Sequence, residues 1–203
     1  MGKAMKRVGL CLLVTMIFWC TMIAMDRQTL RSELIRLHVV AASDSEEDQA
    51  LKLQVRDAVI NSLREDMQNV ADAAQAKAYL WEQLPKIESL ANQVLRSAGC
   101  TDLATVSLKR EEFGTRVYDT FSLPAGIYES LRITIGEGAG QNWWCVVFPA
   151  LCVGATVEEF EDTAQCAGFT DALTGALAGE TEYEARFFIL DALGRLENFL
   201  HKG

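Results

Sequence analysis

A single internal histidine, His38, and the run Trp143-Trp144-Cys145 are the residues of this chain best suited to chemistry or recognition. A cysteine thiolate beside a histidine base, oriented by Asp44 or Asn142, is the pattern of a cysteine hydrolase. A thiol held in a disulfide cannot act in that way, and Cys152 lies seven positions beyond Cys145 as a bridge partner across a short, Pro149-containing loop. No Gly-x-Ser-x-Gly elbow offers a serine alternative. His38 admits three readings: a half-buried ring bonded to a neighbour, a contact for a partner, or a general base. In an extended segment Trp143 and Trp144 point to opposite faces, so one indole enters the core while the other is left as a surface anchor for a partner.

Asp44, Ser45 and Asp48 form an acidic helix onset. A Ser45 cap accounts for the hydroxyl and one acid. Asp44 is left over, and with Asp48 it is a candidate for binding. The four cysteines beyond the leader, Cys100, Cys145, Cys152 and Cys166, are separated by 45, 7 and 14 positions, with no Cys-x2-Cys and no histidine pair. Metal binding is therefore not expected, one or two disulfides are, and no cofactor is implied. The glycines of Gly136-Glu-Gly-Ala-Gly140 precede no Gly-Lys-Ser/Thr and no helix onset, so they read as a turn and not as a phosphate cradle.

The elements that would position these residues follow from periodicity. Leu34–Ala42 is rich in branched apolar residues and predicts a first strand, with His38 in register with Arg36 and Val40 and opposite Leu37 and Val39. Leu51, Val55, Ala58, Val59 and Leu63 mark a helix over 46–67, and a second runs over 73–97 to Gly99, with a kink or restart at Pro85. Alternation in 104–110 and 128–135 predicts two more strands. Val157–Asp162 suggests a short helical turn, and Thr170–Ala178 reads indistinctly. Glu182–Leu200 predicts a helix with Phe188, Ile189, Ala192, Leu196, Phe199 and Leu200 on its inner side. The fold class is α+β: one domain, 26–203, with helices packed on a small mixed or antiparallel sheet.

Before that domain stand Lys3, Lys6 and Arg7 and then eighteen residues, Val8–Met25, without a charge. This is the pattern of an export signal or membrane anchor, about 27 Å long as a helix and near the lower limit for a bilayer span. Residues 1–25 are either cleaved or retained as an anchor, since a cut after Ala24 would put Met22 where a small residue is preferred. A buried core helix is the competing reading. The chain carries a net charge of -9, and removing the leader's three cations leaves -12 on the exported part. Such a field repels nucleic acid and anionic surfaces.

Two stretches, Leu34–Ala58 with its His-x4-Ser-Asp-Ser, and Leu123–Pro149 with Asn142-Trp-Trp-Cys145, continuing to Leu151-Cys152, resemble the stage II sporulation protein R family of endospore-forming bacteria. The similarity runs from Leu34 to about Val153, and the ends match only in general character. Where the family has Phe-Pro-Pro-Leu-Cys, this chain has Phe148-Pro-Ala-Leu-Cys152. The resemblance implies a non-enzymatic signalling protein, secreted across the forespore membrane into the intermembrane space. Its implied partner is a membrane-embedded aspartic protease, which it switches on to process the precursor of the mother-cell early sigma factor. A secreted hydrolase with a Cys/His site is the alternative.

Overall fold

Strand β1 (Ile35–Val40) is buried along its whole length, with a neighbouring strand on both edges. The computed structural model, which describes residues 2–149 and 157–201, places it inside a four-stranded sheet of order β2-β5-β1-β6. β5 (Gly126–Ile135) runs parallel to β1, while β6 (Asn142–Phe148) is antiparallel to it and β2 (Ala104–Phe113) is antiparallel to β5. The sheet is therefore mixed, and the α+β class expected from the alternation of helical and extended periods is the one observed.

One face carries Ile35, Leu37, Val39, Leu131, Ile133 and Ile135, and closes against helices α2 (Glu46–Gln68) and α3 (Ala73–Ser97). α2 begins where Ser45 accepts a hydrogen bond from the Asp48 amide, so its onset lies at the end of β1. Asp72 caps α3 in the same way, and the helix continues through Pro85 without the restart that a proline suggested. Leu80, Ile87, Ala91 and Leu95 hold it to the sheet. Cys100 and Cys166 are unpaired, as are Cys11 and Cys20, which removes the two-bridge arrangement from those the sequence allowed.

The opposite face is only partly covered. A second core forms over one end of it, from Leu34, Phe113, Tyr128 and Val146 of the sheet. Packed on these are Phe121 and Leu123 near a two-residue hairpin, β3 (Arg116–Val117) with β4 (Ser122–Leu123). Phe160 of α4 (Val157–Cys166), Leu173 and Leu177 of α5 (Asp171–Ala178) and Leu190 of α6 (Glu184–His201) complete this core. The indistinct stretch 170–178 is thus a helix, capped by Thr170 accepting from the Leu173 amide.

Helix α1 (Gly2–Ser32) is long and apolar enough to cross a membrane, and only 6% of its most apolar window is buried. That is not the burial of a core helix. Its last turns are different: Ile23 and Leu30 enter the second core, and Asp26, 2% exposed, pairs with Arg186 of α6 at 2.6 Å. α1 therefore joins the domain as one uninterrupted helix.

α6 is turned the other way from the expected orientation. Of the residues read from the sequence as its inner side, Ile189 packs on the second core, but Phe188, Ala192, Leu196, Phe199 and Leu200 face solvent, and the packed side carries Leu190, Asp191 and Gly194. Asp191 accepts from the Ala125 amide at 2.8 Å, and a Cβ on Gly194 would lie 1.6 Å from the Ala125 carbonyl oxygen. Backbone contact and paired charge join the apolar contacts of Phe187, Leu190 and Leu193 in setting the face that turns inward.

Candidate partner-contact face

The part of the open sheet face beside the second core holds His38, Glu111, Arg132, Thr134, Asn142 and Trp144, with the Trp144 indole packed against that core. β1, β2, β5 and β6 each contribute, and the registers His38↔Arg132 and His38↔Trp144 put the histidine between an arginine and an indole. Its ring stacks on Trp144 at a centroid distance of 5.7 Å and meets the Phe113 edge at 6.0 Å. His38 Nδ1 lies 3.1 Å from Glu111 Oε2, which only accepts when ionised, so this nitrogen carries the proton. Nε2 lies 2.8 Å from Asn142 Oδ1. His38 is therefore a largely buried ring held at both nitrogens, the first of the three readings its sequence context allowed.

Glu111 is the electrostatic hub. Burial pushes its carboxyl up, but hydrogen bonds from His38 and Arg132 and the nearby Ser130 hydroxyl outweigh burial and hold it down at about 2. Arg132 Nη1 donates to Glu111 Oε1 at 2.7 Å, and Lys109 stands 3.5 Å from the same oxygen. The Arg116 guanidinium lies 3.5 Å from the Trp144 ring centroid, so the indole sits between that cation and the histidine ring.

Deeper on the same face is Arg36, fully buried. Nη2 donates to the Tyr118 hydroxyl at 2.8 Å, and the guanidinium lies 4.1 Å from the Phe113 centroid and 5.2 Å from that of Tyr128. Its Nε and Nη1 have no hydrogen-bond partner among the described residues. Burial lowers its pKa, against the opposing pull of Tyr118 and Tyr128. A buried cation without a carboxylate is costly, and aromatic faces recover only part of that cost.

Asp44 and Asp48, the acids at the β1–α2 junction, also have structural partners. Asp44 is not spare: its Oδ1 accepts the Gln141 amide at 2.8 Å. Asp48 accepts from the Ser43 hydroxyl while its amide caps on Ser45. Lys52, 5% exposed, donates to the Gln141 carbonyl at 3.1 Å, and the Gly140 amide donates to the Ala41 carbonyl at 3.0 Å. A Cβ on Gly140 would sit 2.1 Å from the Ser43 carbonyl oxygen, so only glycine allows the loops to touch. The two stretches that carry the family resemblance thus lock to each other at the end of β1. This junction delivers Asn142 to His38.

Trp143 and Trp144 do part as alternation requires. Trp143 is 38% exposed at the α2 side, with the Arg56 guanidinium 4.3 Å from its centroid, while Trp144 is half-buried beside His38. Cys145 pairs in register with Leu37 and is buried on the α2–α3 face, so the sheet itself separates it from His38. Those two side chains cannot form a dyad. Cys152 lies outside the described residues. Among the described residues no group of three or more His, Cys, Asp or Glu side chains is arranged to hold a metal ion.

Sequence reasoning missed Glu111, Arg132 and Arg36 as parts of this face. The available signal was parity: Glu111 shares a strand face with Phe113, and Arg36 shares one with His38.

The family model of stage II sporulation protein R matches residues 31–158, which contain every residue of this face. A curated relative, stage II sporulation protein R of Bacillus subtilis (strain 168), is 36% identical over 135 residues, covering 64% of this chain. The match spans 60% of that relative's own length. No solved structure matches the chain. With the matched span covering more than half of the sequence and both interlocked stretches within it, the chain belongs to the stage II sporulation protein R family.

Proposed function

We propose that the chain is a sporulation signal delivered across the forespore membrane into the intermembrane space, where it activates a membrane-embedded aspartic protease. That protease then processes the precursor of the mother-cell early sigma factor. The catalysis belongs to the partner, and the contact is made by the face around His38, Glu111, Arg132 and Trp144, with Trp143 exposed across the edge strand β6 on the α2 side. Family membership and the apolar helix α1 support this reading.

The observation that carries it is the convergence of both family-like stretches on one face, where Asn142 and Trp144 from one meet His38 from the other. Side chains already fixed by mutual bonds lose little freedom on binding, and a half-buried indole beside charged groups is a common centre of interface energy. In the same reading Cys145 and Cys152 form a bridge that restrains the segment after β6. Loop closure of this kind is worth about 2 kcal/mol. The Cys/His hydrolase alternative has the geometry against it, because Cys145 and His38 lie on opposite faces of the sheet.

The test is a three-component reconstitution of this chain, the protease and the sigma precursor in vesicles. Cleavage should require all three components. Precursor cleavage by this chain without the protease would sink the proposal.

A further inference from the structure

The apolar stripe of α6 is not used by the face described above. Phe188, Leu196 and Phe199 are 71%, 54% and 75% exposed. With Ala192 they fall within an arc of about 80° when about 100° is allotted per residue. The opposite arc, through Leu190, Asp191, Gly194 and Glu197, packs on α1 and on Ala125. The packed side already has its own apolar residues, Phe187, Leu190 and Leu193, in the second core, so the exposed stripe is a second apolar surface that calls for a second occupant.

The ion pairs with α1 say where that occupant lies. Asp26 holds Arg186, while the adjacent Arg27, together with Arg31 one turn on, holds Glu197. Neighbouring positions on α1 thus grip α6 at points eleven residues apart, about 16 Å along its axis at about 1.5 Å per residue. Helices running side by side would not be gripped so; these two cross. If α1 crosses a bilayer, α6 lies broadly in the plane of that bilayer. Its level is also fixed, since Asp26 to Arg31 directly follow the apolar run Val8–Met25.

That run is short, about 27 Å against a hydrocarbon thickness of about 30 Å, and Ile23 is withdrawn from it into the domain core. A short span draws the foot of the attached domain into the interface. The charges do not oppose this. On α6, Arg186, Asp191, Arg195 and Glu197 are all paired within the protein, leaving Glu184 at the helix onset as the exposed acid.

We infer that α6 is an interfacial helix, lying on the bilayer at the foot of α1 with Phe188, Ala192, Leu196 and Phe199 at the headgroup–acyl boundary. The inference rests on the reading of α1 as a membrane span and is independent of the protease.

The experiment uses the full chain in phosphatidylcholine vesicles with and without bromine on the acyl chains. Phe188→Trp and Phe199→Trp are made in turn, both at exposed positions, and their added fluorescence is taken as the difference from the parent. Bromolipid should quench the added signal of each variant at least about two-fold. The signal lost in Trp19→Phe reports the span in parallel. Quenching of Trp19 with neither addition quenched would overturn the inference, as would quenching at one end of α6 only, or protection of both ends by a second copy shown by Phe188→Cys cross-linking. If the Trp19 signal is itself unquenched, the span is absent. The inference then falls with its premise, a failure distinguishable from that of α6 alone.

Discussion

The two faces of the sheet are built from the same strands and differ by a single residue step. Towards α2 and α3, β1 presents Ile35, Leu37 and Val39, which join an apolar core with charge only at its margin, where Glu129 pairs with Lys77. Towards the other side it presents Arg36 and His38, with Glu111 and Arg132 beside them. The first face is closed and gains stability from area removed from water. The second spends stability on a buried cation and a desolvated carboxylate. In the proposed reading, the second arrangement is the face kept for recognition.

The contrast breaks most readily at the dry face. Leu131→Ala, at a position with no exposure, should cost about 3 kcal/mol by denaturant unfolding. A cost under about 1 kcal/mol would mean that α2 and α3 do not close on the sheet. On the charged face Glu111→Gln should cost about 2 kcal/mol at neutral pH. Its sign follows from the depressed pKa. The Glu111 contribution is complete above the ordinary value of 4.5 and is lost as pH falls from there to about 2. The wild-type acid limb should therefore be steeper than the variant's over that range, and equal slopes would remove Glu111 as the hub. Arg36→Met should act in the opposite direction, stabilising by about 1 kcal/mol, because methionine leaves no unsatisfied donor. A loss of several kcal/mol instead would show that the aromatic cradle and Tyr118 fully compensate the charge.

Much of this architecture was legible in the residues themselves. The β1 alternation, the Ser45 cap and the apolar stripe from Leu51 to Leu63 are local signals, and α2 lies where they place it. Gly99, in a left-handed conformation, ends α3 as expected. α5 was obscured because Ala, Thr and Gly residues leave little periodicity, although the Thr170 cap and Gly179 mark its ends. The outward turn of α6 was not legible, because its packed side is selected by Asp26, Arg27 and Arg31, all distant in sequence. For the candidate face, His38, Asn142 and Trp144 could be picked out by type. Glu111 could not. In Lys109-Arg-Glu-Glu112 it looks like one more solvated charge until strand pairing sets it against His38. The structural partner of Asp44 was hidden for the converse reason: it is a backbone amide 97 positions away, which no side-chain pattern announces.

The claim that the charged face receives the partner is tested most directly by Trp144→Ala in the reconstituted proteolysis assay, with thermal unfolding of the same sample alongside. Precursor cleavage should fall at least about ten-fold, equivalent to about 1.4 kcal/mol of contact, while the domain stays folded at the assay temperature. Undiminished cleavage by a folded Trp144→Ala protein would contradict the account and move the contact elsewhere on the molecule.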